Sequence, residues 1–157
     1  MKDEKKEILR IDGKARFLDV LFDMIRRSKK EVIMTMRYWG SKWGDKRLFD
    51  EVIFPQLEEV INHALSSGAS VRIMGDPRGD DFGSSKRLVS LGVEVKNLEG
   101  SHLRFIVVDE KECLFAISEP YSETTHFYHA IWSCNDILVK FFKDHFENLW
   151  SISKKSI

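Results

Sequence analysis

Helical and strand-like patterns of apolar residues alternate through the first two-thirds of the chain. Residues 14–28 place apolar side chains three and four positions apart, which is typical of an amphipathic helix, and residues 31–36 form a short apolar run that favours a buried strand. The two patterns return at residues 47–68 and 69–76, where we expect Pro55 to start the main helix or to kink a longer one and Gly68 to end it. A short helix, which Ser84 or Ser85 is able to cap, and a strand at residues 93–98 complete the series. This alternation predicts an α/β fold with parallel strands covered by helices.

The last third of the chain adds antiparallel strands. Residues 102–109 and 112–118 are strand-like runs on either side of a charged turn, which predicts a β-hairpin. Residues 126–133 favour one more strand, and residues 135–150 have the apolar spacing of a closing helix capped by Asn135. Together the patterns predict a mixed sheet flanked by helices on both faces.

The length predicts one domain. No repeat or linker divides the 157 residues. We expect the domain to cover residues 14–151, with an N-terminal extension at 1–13 and a C-terminal tail at 152–157. Cys113 and Cys134 lie in separate apolar contexts without a zinc-binding spacing, so we expect reduced core thiols and no metal site.

The charged residues balance one another. The chain has 25 Lys and Arg and 25 Asp and Glu, so its formal net charge is zero. A chain without net charge has no general attraction for nucleic acid or for an anionic membrane. Its charged start lacks the apolar segment of a signal peptide, and no apolar run reaches the roughly 20 residues of a membrane helix. We therefore expect a cytoplasmic domain without membrane association.

Three polar residues interrupt the otherwise apolar strand at residues 102–109. Residues two apart on a strand share a face, so His102 and Arg104 are expected to project side by side. Asp109 falls at the end of the strand, on the opposite face by the same alternation. An imidazole beside a guanidinium is a natural seat for a phosphate group, because one group attacks or donates a hydrogen bond while the other neutralises charge.

The motif and its surroundings resemble a known family. The spacing H-x-R-x-x-x-x-D resembles the H-x-K-x-x-x-x-D signature of the phospholipase D superfamily, and the following strand, turn, strand and final helix resemble the family's order of elements. The resemblance implies a phospholipase D-like half fold in which His102 is the nucleophile that forms a phospho-histidine. It also implies that Arg104 holds the phosphate and that Asp109 orients and helps charge the histidine of a partner motif. The family's active site uses two motifs and needs neither metal nor organic cofactor, so the resemblance implies a homodimer without cofactors.

Two departures from the family pattern indicate a degenerate active site. Arginine replaces lysine, and its planar fork fills more space than an ammonium group. The family's Gly-Ser-x-Asn turn reads Ile117-Ser118-Glu119-Pro120, in which the glutamate repels an anion and the proline removes a backbone donor. These losses resemble the degenerate phospholipase D-like domains that serve as sensing modules in archaeal sugar-responsive transcriptional regulators.

A regulatory domain that binds a small anionic or sugar-like ligand is therefore our main interpretation. Beside His102, Arg104 and Asp109, we expect ligand contacts from the aromatic loop after the first strand and from the polar segment after the hairpin, namely Tyr38, Trp39, Trp43, Ser118, Glu119 and His126. The alternative is a homodimeric phosphodiesterase or nuclease acting through a phospho-histidine, and only this alternative implies nucleic acid as a partner. A further alternative is that His102 and Arg104 have structural roles and that the aromatic side chains cover the sheet edge or form a dimer contact.

Overall fold

One mixed sheet contains all eight strands of the described part of the chain. The computed structural model describes residues 7–38, 49–76, 83–99, 103–117 and 129–155. The strands are β1 Ile8–Asp12, β2 Glu31–Tyr38, β3 Ser70–Asp76, β4 Glu94–Asn97, β5 Phe105–Val108, β6 Glu112–Ala116, β7 His129–Ser133 and β8 Lys154–Lys155. The helices are α1 Lys14–Arg26, α2 Phe54–Ser66, α3 Gly83–Leu91 and α4 Asp136–Ile152, with a turn of π-helix at Phe49–Ile53 directly before α2. Within these ranges, no helix combines the length and the apolar character needed to cross a membrane.

The strand order brings the ends of several strands together at one end of the sheet. The order is β1-β7-β6-β5-β2-β3-β4-β8, in which β2, β3 and β4 run parallel and the other neighbours pair antiparallel. We call the end at which β2, β3 and β4 finish the carboxyl end of the sheet. Because β5 and β7 run in the opposite direction to β2 and β6, both begin at this same end.

Helices cover both faces of the sheet. On one face, α1, α2 and α3 bury a large apolar cluster that includes Val32, Met34 and Ile106 of the sheet. On the other face, α4 packs Phe142 and Phe146 against a smaller cluster of strand residues. The alternation of the strands explains the division, because successive side chains point to opposite faces. The predicted α/β fold, with a mixed sheet and helices on both faces, is confirmed.

Several local predictions are also confirmed. Asn135 caps α4, since its side chain accepts hydrogen bonds from the backbone N–H groups of Ile137 and Leu138 at 3.0 and 3.2 Å. Pro55 lies in the first turn of α2. Backbone N–H groups in this turn have no intrahelical acceptor, so a proline there removes no hydrogen bond. Gly68 follows α2 with a φ of 95°, a left-handed conformation that favours glycine.

Two strands and one cap differ from the sequence prediction. The strand β1 lies in the segment 1–13, and all five of its residues pair with β7. Only Ile11 of this strand is buried, and its apolar and polar residues alternate over no more than Leu9–Asp12, so the local signal for a strand is short. The two-residue strand β8 has no apolar pattern at all. Ser84 and Ser85, expected to cap a helix, lie inside α3 because this helix begins at Gly83.

A charged network joins α4 to the sheet at the end opposite the carboxyl end. The guanidinium of Arg72 in β3 donates two hydrogen bonds to the Glu147 carboxylate, at 2.8 and 2.7 Å. Lys143 donates to Glu31 at 2.7 Å, and Arg72 also lies 3.3 Å from Glu31. The hydrogen bonds from Arg72 are the main cause that lowers the pKa of Glu147 to about 2. The network fixes α4 against the starts of β2 and β3, away from the predicted site.

Candidate functional site

The candidate residues divide into those inside and those outside the described ranges. Arg104 and Asp109 are described with their side chains, and Tyr38 is described only as the last residue of β2, opposite Asp76 of β3. The remaining candidates lie outside the described residues and stay predictions; they are His102, Trp39, Trp43, Ser118, Glu119 and His126.

The described positions next to these candidates lie together at the carboxyl end of the sheet. Tyr38 ends β2, Arg104 directly precedes β5, Ile117 directly follows β6, and His129 begins β7. The backbone N–H of Ile117 donates to the carbonyl of His129 at 2.8 Å, so these two flanking positions are in contact. In α/β sheets, ligands bind beyond the carboxyl ends of the parallel strands. The topology therefore agrees with the expectation that one site draws on these separate segments.

The backbone around Arg104 is held by both neighbouring strands. The ladder between β2 and β5 ends at the pair Met34 and Ile106. Beyond it, the Thr35 hydroxyl donates to the carbonyl of Leu103 at 2.8 Å and accepts from the backbone N–H of Phe105 at 3.0 Å. On the other side, the carbonyl of Arg104 accepts a hydrogen bond from the Ala116 backbone N–H at 3.0 Å. These bonds fix the position from which the Arg104 side chain projects.

Sequence reasoning missed Thr35, although one signal was present. Thr35 is the one polar residue inside the run Val32–Met36 and is only 3% exposed. A hydroxyl buried in an apolar strand needs a hydrogen-bond partner, because burial without one is costly. The pattern alone does not reveal that its partners are the two residues on either side of Arg104.

Arg104 is one of the residues that line a cavity on the face covered by α1 and α2. The empty space between its walls, including the open mouth, is about 530 Å³. Its walls come from α1, α2, β2, β5 and β6, and all the described lining residues except Thr35 and Arg104 are apolar. Arg104 is thus the one charged residue among the described residues of this wall.

Asp109 lies at the other end of β5 from Arg104. Five residues of extended chain separate them, or roughly 16 Å. The Asp109 carboxylate accepts hydrogen bonds from the backbone N–H groups of Lys29, Lys30 and Glu31 at 2.9, 2.8 and 2.8 Å. Burial opposes ionisation of this carboxyl, but the three backbone donors outweigh it and lower the pKa of Asp109. These bonds tie the hairpin turn to the start of β2, and a role in orienting a partner histidine stays a prediction.

A second titratable pair lies at the carboxyl end, between the edge strand β1 and its neighbour β7. Nδ1 of His129 lies 2.8 Å from Oδ1 of Asp12, and Arg10 donates to the same oxygen at 2.9 Å. The contact with His129, followed by that with Arg10, lowers the pKa of Asp12. Across the described ranges, no three His, Cys, Asp or Glu side chains form a group that would hold a metal ion.

The family of the chain is shown by its sequence. The family model described as the transcriptional regulator TrmB, effector-binding domain (EBD) N-terminal subdomain, matches residues 49–156, which is more than half of the chain. The chain therefore belongs to the family of TrmB effector-binding domain N-terminal subdomains. No protein with a curated function matches the sequence.

Solved structures share the fold at low sequence identity. TrmBL2, which is described as an archaeal chromatin protein with a novel mode of DNA binding, matches 99% of this chain with a TM-score of 0.73 and 16% identity. The chain spans only 57% of the length of TrmBL2.

Two further structures are matched along nearly their whole length. Nuc from Salmonella typhimurium, a phospholipase D family member, matches 95% of this chain and 97% of its own, with a TM-score of 0.68 and 15% identity. NucT from Helicobacter pylori matches 95% of this chain and 98% of its own, with a TM-score of 0.73 and 10% identity. The chain thus has the fold of a phospholipase D family member, as the sequence motif predicted, whereas a functional H-x-R-x-x-x-x-D motif stays a prediction.

Replacing Asp109 by asparagine should lower stability in a pH-dependent way. Asparagine tolerates the left-handed φ of 56° at this position, but its amide cannot accept all three backbone hydrogen bonds. At neutral pH we expect Asp109→Asn to reduce the free energy of unfolding by about 1–2 kcal/mol, measured by urea denaturation.

The pH dependence follows from the lowered pKa of Asp109. The contribution of the carboxylate is complete above its unfolded pKa of about 3.9 and is lost as the pH falls through the lower folded value. The difference between wild type and Asp109→Asn should therefore shrink below about pH 4. Glu110→Gln, in the same turn with a φ of 54°, is the matched control and should change stability by less than about 0.5 kcal/mol. An equal loss in both variants would contradict the assigned hydrogen bonds.

Replacing Thr35 by valine should destabilise the segment that carries Arg104. Valine has nearly the shape of threonine but leaves the carbonyl of Leu103 and the N–H of Phe105 without their hydroxyl partner. We expect Thr35→Val to cost about 1–3 kcal/mol of unfolding free energy. Thr35→Ser keeps the hydroxyl and is the matched control; urea denaturation of both variants should rank serine above valine. A valine variant as stable as wild type would show that the hydroxyl bridge is dispensable.

Proposed function

We propose that this domain is a ligand-sensing, regulatory module with a degenerate phospholipase D-like active site. It binds a small anionic or sugar-like ligand at the carboxyl end of the sheet. The observation that carries the proposal is the position of Arg104 at the carboxyl end of the sheet, beside an otherwise apolar cavity. Hydrogen bonds hold its carbonyl and the backbone of its two neighbours, Leu103 and Phe105. Membership of an effector-binding family supports a sensing role.

The predicted site residues have defined roles in this proposal. Arg104 neutralises and orients the anionic part of the ligand, and His102 adds a hydrogen bond on the same side. The remaining contacts come from the segments that flank the carboxyl end, at Tyr38, Trp39, Trp43, Ser118, Glu119 and His126. Binding needs no metal or organic cofactor, and a regulator of transcription would act in the cytoplasm.

The alternative function is phosphodiester hydrolysis by a homodimer. Its support is the shared fold with Nuc, a phospholipase D family member matched along 97% of its chain, together with the histidine of the motif. In this reaction His102 attacks phosphorus, and Arg104 stabilises the charge that develops on the phosphate oxygens. Water activated by His102 of a second chain then hydrolyses the phospho-histidine.

An experiment with phosphate compounds separates the two functions. We expect no turnover of bis-p-nitrophenyl phosphate or single-stranded DNA, and a melting temperature that rises with inorganic phosphate because the ligand binds only the folded state. Arg104→Met should abolish the rise, because it keeps the length of the side chain and removes the charge. Arg26→Met is the matched control, since Arg26 is an exposed guanidinium paired with Glu59, and it should leave the rise intact. Turnover that disappears in His102→Ala would overturn the sensing function in favour of the alternative.

The domain should form homodimers. The active site of the resembled family uses two motifs, this chain has one, and a two-fold axis would bring two copies of the motif together. Exposed apolar side chains on α4, among them Ile137 and Phe141 at 80% and 60% exposure, are available for burial in such a contact. Sedimentation velocity should give twice the mass of one chain over a wide range of concentration. A single-chain mass at every concentration would contradict the homodimer.

A further inference from the structure

We propose that two copies of this chain pack their α4 helices antiparallel across a two-fold axis that passes α4 at position 142. The contact brings the carboxyl ends of both sheets to one interface. This inference rests on the homodimer expected under the proposed function and assigns to it a surface, an orientation and a set of complementary charges.

The helix α4 has a second apolar side besides the one that packs against the sheet. Its buried residues are Val139, Phe142 and Phe146. Ile137 and Phe141, which lie one turn apart on another side of the helix, are 80% and 60% exposed. A surface helix normally has one apolar side, and a second one marks a contact with another protein surface.

Three side chains spaced four residues apart form the exposed side, which we call the α4 ridge: Ile137, Phe141 and His145. The rings of Phe141 and His145 stack with centroids 6.2 Å apart and an angle of 13° between their planes. The His145 ring also lies 5.8 Å from the ring of Phe105, the residue directly after Arg104. The α4 ridge therefore lies beside the carboxyl end of the sheet, where the candidate site is.

The exposed apolar surface continues from the α4 ridge onto the sheet. Phe105 of β5 and Phe115 of β6 pack against α4. Side chains two residues apart on a strand share a face, so Leu103 and Ile117 lie on this same face, one step nearer the carboxyl end. The ladder between β6 and β7 reaches that step, because Ile117 donates to the carbonyl of His129 at 2.8 Å. Leu103 and Ile117 are both exposed, so they extend the apolar surface towards the candidate site.

Two opposite charges beside the α4 ridge indicate a second copy of this chain as the partner. Lys140 and Asp144 are exposed, lie one turn apart on the same flank of the ridge, and pair at 2.8 Å within the chain. With the two-fold axis at position 142, Lys140 lies opposite the partner's Asp144, and Asp144 lies opposite the partner's Lys140. A parallel arrangement would instead place each charge opposite its own copy. The charges are thus self-complementary in the antiparallel orientation, as a two-fold contact requires.

The same register lets the two α4 ridges interdigitate. Position 141 falls opposite position 143 of the second copy, so Phe141 enters the gap between the partner's Phe141 and the partner's His145. Residues 136–148 of the two helices overlap, whereas Ile152 falls opposite position 132, before α4 of the second copy begins. Ile152 is 72% exposed and therefore offers a matched control on the same helix but outside the contact.

A contact between the two helices alone is smaller than a stable homodimer needs. Specific interfaces bury about 800 Å² on each partner. The overlapping residues 136–148 extend about 20 Å along a helix about 10 Å across, so they cover only part of that area. Leu103 and Ile117 supply further apolar area, and the interface therefore extends over the carboxyl end of the sheet. This extension brings the two candidate sites to the interface, in agreement with the paired motifs of the resembled family.

Sedimentation velocity over a range of protein concentrations tests the surface. We expect Phe141→Ser to raise the dissociation constant of the homodimer by about tenfold or more, because a two-fold contact loses the ring twice. Ile152→Ser removes a similarly exposed apolar side chain and should leave the dissociation constant unchanged. Both side chains are exposed, so neither replacement opens the core, and circular dichroism with thermal melting checks that both variants fold.

A mixing experiment tests the antiparallel orientation. Lys140→Glu and Asp144→Lys each place like charges opposite one another in their own homodimer, so each variant should dimerise more weakly than wild type, most clearly at low ionic strength. An equal mixture of the two variants, with one of them fluorescently labelled, should form a heterodimer that is tighter than either homodimer. Opposite charges then face each other at both positions, and the rescue cannot arise within a chain because each chain keeps its like-charged pair.

The outcomes separate this inference from the function beneath it. Equal dissociation constants for wild type and Phe141→Ser would overturn the α4 surface and leave the homodimer standing. A loss in Ile152→Ser as large as in Phe141→Ser, or a mixture no tighter than the two homodimers, would overturn the antiparallel register. A single-chain mass for wild type at every concentration would overturn both the contact and the homodimer.

The ligand-binding function is measured independently of the mass. A melting temperature that rises with inorganic phosphate in wild type but not in Arg104→Met would keep that function even where the α4 contact fails. Absence of the rise would remove the function even where the α4 contact is found, so the two failures are distinguishable.

Discussion

The pairing of β2 with β5 is the constraint on which the candidate site depends. Side chains fix this pairing at both ends. At one end the Asp109 carboxylate binds three consecutive backbone N–H groups at the start of β2, and at the other end the Thr35 hydroxyl bridges Leu103 and Phe105. A two-point attachment leaves β5 little freedom to slip, and a slip of one residue would move Arg104 to the other face of the sheet. The position of the cation is therefore set by residues that are distant in sequence.

Much of the architecture could be predicted from the sequence because each long element carries a strong local pattern. The helices α1, α2 and α4 have apolar residues at helical spacing, and Asn135 supplies a specific start signal. The strand β1 was not predicted, because its apolar and polar residues alternate only over Leu9–Asp12, which is the shortest run that indicates a strand. Its formation is due to pairing with β7, which is an interaction that a local pattern does not contain.

The motif around residues 102–109 shows both the value and the limit of spacing. Three residues that follow a family signature suggest one catalytic cluster, but on an extended strand Arg104 and Asp109 occupy opposite ends of the sheet. The rise per residue of a strand was enough to foresee this separation. What spacing could not supply was the role of Asp109 at its own end, since its partners are backbone groups of residues 29–31. The cavity could not be foreseen either, because it forms between α1, α2 and three strands that come together only in the folded chain.

Under the proposed sensing function, Arg104 contributes to binding and not to turnover. A guanidinium that holds an oxyanion through two parallel hydrogen bonds stabilises the bound ligand itself, and an interaction of equal strength in the ground state and the transition state gives affinity without acceleration. A sensor needs only that affinity, because a ligand shifts a regulatory equilibrium through its preference for one state. The described wall beside Arg104 also has no further charged group that could assist a leaving group. A chain with zero net charge cannot obtain selectivity for a ligand from its overall field, so under the proposed function the contacts at the site must supply it.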